Sequence, residues 1–339
     1  MTTDAVGGVW QYSIDLANEL IGRGVDVMIA SLGPPPSSTQ LNNIGKVPAE
    51  RLVVREFALE WMQQPWVDVE RSREWLAELV HEFLPDLVHL NGYALAAADY
   101  RAPTVVVAHS CVRSWWRAVH RCAPPEGEWA EYERRVGRGL RATDAIVAPS
   151  KFMADAITTE YGISPERIRV IHNFSLKERV AASEKQPLLL AAGRMWDQAK
   201  NLKLLEAIRP QLAWPLLVAE GQLSREELDR EMARASIFVH PALYEPFGLA
   251  VLEAARARCA LVLADIPSLR ELWDGAAVFC DPRDEDAWVN AIDYLIGNEK
   301  DRQCLGQVAA KRAERFVAEG TVDAYLGVYR ELMQVGATA

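Results

Sequence analysis

Short apolar runs alternate with amphipathic segments along nearly the whole of this chain. Runs such as VVVAH at 105–109 and LLLAA at 188–192 are apolar throughout. Such runs are typical of parallel strands that are buried on both faces, and the segments between them have helical periodicity. The alternation of strands and helices predicts a doubly wound α/β architecture.

Ten runs predict strands, and they form two series separated by a polar stretch at 173–187. The predicted strands are 26–31, 87–91, 104–109, 145–149, 168–171, 188–192, 216–219, 237–240, 260–264 and 277–280, and clear helical patterns cover 10–22, 71–83, 150–161 and 285–297. A chain of 339 residues exceeds one ordinary core. We therefore predict one Rossmann-like domain at 1–173, a second at 187–320, and a C-terminal helix at 321–339 that packs back on the first.

The composition narrows the class of protein. A formal charge of −10 argues against a general nucleic-acid binder. Five scattered cysteines without a C-x-x-C pair predict reduced thiols. The sequence shows no signal peptide and no apolar run of about 18 residues. These features predict a cytoplasmic protein, with a peripheral contact to the cytoplasmic face of the membrane left open.

The segment EPFGLAVLE places Glu245 and Glu253 eight positions apart around a turn that begins a helix. Pro246 and Gly248 interrupt the preceding run. Gly248 lies near the helix start, where backbone N–H groups and the helix dipole favour an anion. The two carboxylates suit the hydroxyls of a polyol, so a sugar nucleotide would satisfy the whole segment. The alternative is a strand-to-helix turn with two surface acids.

Other candidate residues also follow predicted strands or precede helices, and open parallel sheets bind ligands at the carboxyl ends of their strands. Gly7 and Gly8 precede the first helix, His109 ends the VVVAH run, and Arg194 follows LLLAA, with Lys200 six residues later. Paired glycines admit a phosphate, and two cations can offset the charge of a diphosphate. A plain turn, a structural histidine and solvated cations remain the alternatives.

Together, the Gly193-Arg194…Lys200 spacing, EPFGLAVLE, the GGVW segment at 7–10 and His109 resemble glycosyltransferase family 4. The resemblance covers most of the chain. It implies a GT-B fold, in which two Rossmann-like domains face a central cleft. It also implies a retaining, metal-independent hexosyltransferase that uses a UDP- or GDP-type sugar donor and an acceptor hydroxyl, without a cofactor.

The resemblance implies four catalytic residues, which are Arg194, Lys200, Glu245 and His109. Arg194 and Lys200 would contact the donor diphosphate and stabilise the leaving group. Glu245 would hold hydroxyls of the transferred sugar, and His109 would lie near that sugar.

The donor-binding residues implied by the same resemblance are Gly8, Arg194, Lys200, Glu245, Phe247, Gly248, Leu249 and Glu253. Gly8 would lie close to the diphosphate, and Glu253 would accept hydrogen bonds from the ribose. Residues 247–249 would offer backbone N–H groups. No metal ligand is implied, because the Asp-Glu-Asp run at 284–286 is predicted to be the N-cap and first turn of a helix.

Two departures from the family pattern concern length. Only four residues precede Ala5, so the first strand looks truncated. The loop after Gly221 is also short, which leaves the nucleotide base open, with Glu220, Gly221 and Leu223 as candidate contacts.

The acceptor is unidentified, either lipid-linked or a small molecule. Residues 101–151 contain nine Lys or Arg against five Asp or Glu. The basic and tryptophan residues there suit an anionic membrane or a phosphate-bearing lipid, or equally a helix with inward aromatics; they are Arg113, Trp115, Trp116, Arg117 and Arg121. A second group is predicted to be one solvated helix face paired with Glu131 and Glu133, namely Arg134, Arg135, Arg138 and Arg141.

Two other functions remain open at this point. A sugar-nucleotide epimerase of related fold would need acid and base groups in both domains. A non-catalytic, transferase-like binding subunit is favoured by the short first strand. The joint presence of Arg194, Lys200, Glu245 and Glu253 argues against that subunit.

Overall fold

The computed structural model describes residues 1–125, 127–176, 184–220 and 223–336. Its strands are β1 Thr2–Asp4, β2 Ile29–Leu32, β3 Leu52–Val54, β4 Val88–Leu90, β5 Thr104–Val107, β6 Ala145–Ala148, β7 Ile168–Val170, β8 Gln186–Ala192, β9 Leu216–Ala219, β10 Ala235–His240, β11 Ala260–Ala264 and β12 Val278–Cys280. Its helices are α1 Gly8–Gly22, α2 Ser38–Asn42, α3 Trp66–Phe83, α4 Val112–His120, α5 Ala130–Ala142, α6 Lys151–Tyr161, α7 Leu202–Ile208, α8 Arg225–Arg234, α9 Leu249–Arg256, α10 Pro267–Trp273, α11 Glu285–Gly297, α12 Glu299–Ala313 and α13 Ala318–Gly336.

The predicted alternation is confirmed, since every strand pairing is parallel and each of the ten predicted strands is present. The sequence patterns missed β1 and β3, because three residues are too few to show a period. The short first strand is present as β1, which pairs with β2 in the register of Thr2 opposite Ala30.

The chain divides into two compact units. The first comprises Met1–Ser114, Ala123–Asn173 and Ala318–Ala339, and the second comprises Trp115–Cys122 and Phe174–Val317. Residues Trp115–Cys122 therefore group with the second unit, whereas the sequence placed them within the single segment 1–173. Residues 177–183 of the predicted linker lie outside the described part of the chain.

The first unit contains two parallel sheets, with strand orders β1-β2-β3 and β4-β5-β6-β7. Asn91, just after β4, connects them. Its backbone N–H donates to Thr2 Oγ1 at 2.8 Å, and its Nδ2 donates to the Thr2 carbonyl at 2.6 Å. These bonds hold the start of β1 next to the carboxyl end of β4.

Helix α13 packs within the first unit through buried hydroxyl groups. The Tyr12 hydroxyl of α1 donates to the Tyr325 hydroxyl at 2.6 Å, and the Tyr329 hydroxyl lies 2.6 Å from His89 Nδ1. Because these polar atoms are buried, their partners offset the cost of removing them from water. The last long helix thereby covers α1 and β4.

The second unit is a five-stranded parallel sheet with the order β9-β8-β10-β11-β12. Its core contains strand residues with no exposed surface, such as Phe238 and Val262, and the fully enclosed rings of Trp273 and Trp288. Asp284 caps α11 by accepting the Ala287 N–H at 3.1 Å, which confirms the predicted helix start. Among the described helices, none has the length and apolar composition needed to cross a bilayer.

Candidate active site

The strand order of the second unit determines the positions of the loops that follow its strands. The chain moves from β8 outward to β9 and then returns to β10 on the other side of β8. The loops that follow β8 and β10 consequently diverge above the sheet at the point where the order reverses. Open α/β sheets bind ligands at this position. The loop after β8 contains Arg194 and Lys200, and the loop after β10 contains Glu245.

Lys200 and Glu245 form the centre of this site. Lys200 Nζ donates to Glu245 Oε2 at 2.7 Å, and the two side chains are only 19% and 12% exposed. His240, the last residue of β10, places Nε2 3.1 Å from the same carboxylate oxygen. Burial alone would raise the pKa of Glu245, but the Lys200 charge and the His240 hydrogen bond outweigh it and hold that pKa well below its usual range. The site therefore contains a fixed carboxylate and an ammonium with two further donors.

A second set of bonds ties the two loops together. Asn201 adopts a left-handed conformation with φ of 53°. Its Nδ2 donates to the carbonyls of Pro241 at 3.0 Å and Pro282 at 2.7 Å. The Leu243 N–H donates to the Ala199 carbonyl at 2.8 Å. The backbone of each loop is thus fixed by the other, which limits the freedom of Lys200 and Glu245.

Gly248 allows the chain to turn from the Glu245 loop into α9. Its φ is 87°, and a Cβ there would lie 3.3 Å from Glu245 Cγ and 3.2 Å from Val251 Cγ2. Only glycine adopts this conformation without strain. Phe247 is buried, and Leu249 begins the helix. The first N–H groups of α9 have no acceptor within the helix, so this end beside Glu245 suits an anion.

Arg194 lies in the same loop as Lys200 but is held differently. Its Nη2 donates to Asp197 Oδ2 at 3.0 Å, and its guanidinium lies 4.9 Å from the centre of the Trp196 ring. Its Nε is buried without an acceptor among the described residues. An orphaned donor on a cation is costly, and an anionic ligand would satisfy it. The structure therefore leaves capacity for a ligand on Arg194.

Glu253 lies farther along α9 and pairs elsewhere. It is buried, and Arg225 Nη2 of α8 donates to its Oε1 at 3.1 Å. Of the candidate base contacts, Glu220 follows β9 and Leu223 precedes α8, while Gly221 lies outside the described residues. The structure places Glu253 on the helix that follows Gly248 without joining it to the Lys200–Glu245 pair.

Gly8 and His109 belong to the first unit. Gly7, with φ of 85°, precedes α1, and Gly8 is its exposed first residue. His109 follows β5, and its Nε2 lies 2.8 Å from Asn91 Oδ1. Burial lowers the pKa of His109 to about 3, so its imidazole is neutral at pH 7. A neutral ring held by an amide is a hydrogen-bonding group rather than a cation.

Sequence patterns missed several residues at these sites. His240, Asp197, Arg225 and Asn201 all contact a predicted site residue or fix its loop. One signal was available for His240, which ends an apolar strand as His109 does. Arg225 had no such signal, because it precedes Glu253 by 28 positions and meets it only through helix packing.

Several arginines of the basic segment at 101–151 form ion pairs, so the segment carries less unpaired positive charge than its composition suggests. Arg113 pairs with Glu133 and with Glu160, the latter at 2.9 Å. The prediction that Glu133 pairs with the arginines of α5 is wrong in this respect. Arg134 and Arg135 do pair with Glu131, as predicted, but Arg135 is half-buried rather than solvated.

Known proteins share both the sequence pattern and the fold. The model described as Glycosyltransferase Family 4 matches residues 6–174, and the model described as Glycosyl transferases group 1 matches residues 169–312. A glycogen synthase of Mycobacterium tuberculosis is 25% identical over 96% of this chain and 92% of its own. A D-inositol 3-phosphate glycosyltransferase of Nocardioides sp. is 24% identical over 97% of this chain and 86% of its own.

Solved structures of other proteins have a similar fold. A sucrose-phosphate synthase from Thermosynechococcus elongatus has a TM-score of 0.78 at 17% identity, covering 98% of this chain and 96% of that one. The Anabaena protein HepE, crystallised with UDP and glucose, has a TM-score of 0.70 at 16% identity, covering 97% and 98%. Two doubly wound units of this kind define the GT-B fold. The chain belongs to glycosyltransferase family 4 and is a glycosyltransferase.

Proposed function

We propose that this glycosyltransferase moves a hexosyl unit from a nucleoside-diphosphate sugar to an acceptor hydroxyl, with retention of anomeric configuration and without a catalytic metal. The observation that carries the donor class is the 2.7 Å pair of Lys200 and Glu245 beside the start of α9. A cation and helix N–H groups suit phosphate, and a fixed carboxylate suits hydroxyls.

In this proposal each group at the site has one task. Lys200 uses one donor for Glu245 and has others for a diphosphate oxygen. Arg194 contributes its unsatisfied Nε to the same diphosphate, and the N–H groups of Phe247, Gly248 and Leu249 complete the anion site. Glu245 accepts hydrogen bonds from the transferred sugar. Glu253 accepts from the ribose, as an alternative to its bond with Arg225.

The reaction places charge on the leaving diphosphate. The bond from the anomeric carbon to the phosphate oxygen breaks, and a bond from that carbon to the acceptor oxygen forms on the same face. The acceptor proton passes to an oxygen of the departing diphosphate. Fixed positive groups stabilise that charge without reorganisation, and losing one such contact costs about 3 kcal/mol, or roughly a hundredfold in rate. Gly8 and His109 are proposed to serve the diphosphate and the sugar from the first unit.

HepE shares the fold of this chain and was crystallised with UDP and glucose. This similarity supports a nucleotide sugar as the donor. The acceptor class stays open between a small hydroxyl compound and a lipid-linked one, and with it a peripheral contact with the membrane. Two relatives of this chain are a glycogen synthase and a D-inositol 3-phosphate glycosyltransferase, and these names do not point to one acceptor class.

The test is a panel of UDP- and GDP-sugars screened for release of nucleoside diphosphate, with NMR of the product's anomeric proton. We expect one donor to be consumed, with the same anomeric configuration in product and donor, and with activity unchanged by a chelator. An epimerised donor without released diphosphate would instead establish the epimerase. Inversion, or loss of turnover that a divalent metal restores, would contradict the corresponding part of the proposal.

A further inference from the structure

A basic pocket lies within the first unit, and none of the proposed donor-site residues lines it. It is formed by the amino-terminal half of α3, the middle turns of α5 and a 3₁₀ turn at Ala94–Ala97. Its volume is about 140 Å³, far above the roughly 10–15 Å³ that admits one water molecule. The charged side chains that line it are Glu70, Arg73, Arg134, Arg135 and Arg138. We call the cavity that these residues line the arginine pocket.

The acids around the arginine pocket do not neutralise it. Glu70 accepts from Arg73 at 2.7 Å and also pairs with Arg135. Outside the lining, Glu131 accepts from Arg134 at 2.6 Å and from Arg135 at 2.5 Å. Four guanidiniums against these two carboxylates leave two positive charges, in a protein whose formal net charge is −10.

Two guanidiniums retain unused donors. Arg73 directs Nη1 to Glu70 and Nη2 to the Ala97 carbonyl at 2.9 Å, but its Nε is buried without an acceptor among the described residues. Arg138 is exposed and forms no ion pair with any residue that the structure describes. A buried orphan donor is unfavourable unless a ligand or water meets it.

The remaining arginines are held in place before any ligand arrives. Arg135 is fixed by both acids and lies 4.9 Å from the centre of the Trp66 ring. Arg134 makes two bonds to Glu131, through Nε at 2.8 Å and Nη2 at 2.6 Å. Preorganised guanidiniums lose little entropy on binding, and their planar forks match the oxygens of a phosphate.

We infer that the arginine pocket binds a phosphate monoester group. Its dianion would balance the two surplus charges, accept from Arg138, and offer an oxygen to the orphaned Arg73 Nε. The phosphate group can come from a soluble phosphorylated compound or from a lipid headgroup such as phosphatidic acid. The residues that form this pocket differ from those of the proposed donor site, and neither Lys200 nor Arg194 is among them.

The experiment measures binding with two probes. Inorganic phosphate is titrated by calorimetry at low salt, and sedimentation is measured with phosphatidylcholine vesicles with and without phosphatidic acid. Both are carried out on the wild type and on a Lys200→Ala background, so that phosphate at the proposed donor site is counted separately. Arg138→Gln and the double variant Arg134→Gln/Arg138→Gln remove exposed side chains, so folding is expected to persist and is checked by circular dichroism.

Arg141→Gln is the matched control, because Arg141 is exposed on the same helix and does not line the pocket. We expect Arg138→Gln to weaken binding about tenfold and Arg141→Gln to leave it unchanged. Binding of inorganic phosphate that Arg138→Gln weakens identifies a soluble source of the phosphate group. Binding only to vesicles that contain phosphatidic acid, weakened by the same variant, identifies a lipid headgroup. Absence of binding to both probes, or binding that the double variant retains, overturns the inference. Equal losses in Arg138→Gln and Arg141→Gln also overturn it, since they would reflect general charge.

Discussion

The Lys200 ammonium and the Glu245 carboxylate, 45 positions apart in the chain, form a hydrogen bond of 2.7 Å at the carboxyl ends of neighbouring strands. The partners restrain each other, and the His240 ring also contacts the same oxygen of Glu245. Removing Glu245 deprives the shielded Lys200 ammonium of its carboxylate, and removing Lys200 leaves the shielded Glu245 carboxylate with the His240 contact but without its ammonium. The pair is consequently the point at which both activity and local stability can be tested.

Lys200→Ala should lower kcat/KM for the nucleotide sugar at least a hundredfold, because it removes a charge that stabilises the leaving diphosphate. It should also destabilise the protein by about 1–3 kcal/mol, since Glu245 loses a charged partner. Steady-state kinetics and urea unfolding measure the two effects. Lys203→Ala, an exposed lysine on α7, is the control. Comparable losses in both variants would mean that Lys200 has no special role.

Asn201 variants can separate backbone strain from hydrogen bonding. Asn201→Gly keeps the left-handed conformation but loses both side-chain bonds, and it should destabilise the protein by about 1–2 kcal/mol. Asn201→Ala loses the same bonds and adds backbone strain, so it should cost about 1 kcal/mol more. Both should raise KM for the donor, because the two loops lose their connection. Chemical unfolding with donor kinetics measures this, and unchanged KM would remove the positioning role.

Glu60 should give the protein a pH-dependent stability. It accepts the backbone N–H groups of Tyr93 at 3.1 Å and Ala94 at 2.7 Å, yet burial raises its pKa from 4.5 to about 7. Between these two pH values the folded state holds the proton more tightly than the unfolded chain does. The free energy of unfolding should therefore fall as pH rises through this window, by about 3 kcal/mol at most.

Glu60→Gln removes that ionisation, so its stability relative to wild type should increase between pH 5 and pH 8. Urea unfolding at both pH values measures the change. Glu56→Gln, an exposed neighbour, should show no such trend. A wild-type and Glu60→Gln difference that is the same at pH 5 and pH 8 would contradict the raised pKa.

Gly139 and Gly137 on α5 offer a matched comparison. A Cβ at Gly139 would lie 1.9 Å from the Tyr93 carbonyl oxygen, which is backbone and cannot easily move. Gly139→Ala should cost about 3 kcal/mol or more. At Gly137 the nearest atom is Nη2 of the flexible Arg141 side chain at 3.0 Å. Gly137→Ala should be neutral or stabilise by up to about 1 kcal/mol. Thermal unfolding of the two variants checks the contrast, which a similar result for both would refute.

Much of the fold was readable from periodicity. Runs such as VVVAH and LLLAA suit the interior of a parallel sheet, where both faces are buried and the backbone is paired, and they form β5 and β8. The Asp284 cap was equally local, because an aspartate before a helical pattern has its N–H partners within one turn. The strands β1 and β3 were not predicted, because a strand of three residues shows no sequence period and depends on its neighbours for pairing.

The sequence predicts residues for the candidate site but not the geometry in which they lie. Lys200, Glu245 and Gly248 were selected for their positions after strands and before a helix, and they lie together. Arg194 and Glu253 were selected on the same grounds, yet they pair with Asp197 and Arg225. Long charged side chains take the nearest opposite charge, and sequence does not show which one is nearest.

The sequence by itself determined the alternating elements, the glycine at the start of α9 and the chemical character of the loops, because these depend on contacts within a few residues. Only the tertiary structure decided that β10 lies beside β8 while β9 occupies the edge. That order brings Lys200 to Glu245. In the first unit, helix packing likewise buries Arg73 Nε without a partner among the described residues. Strand order follows from how whole faces are buried together, and no local pattern encodes it.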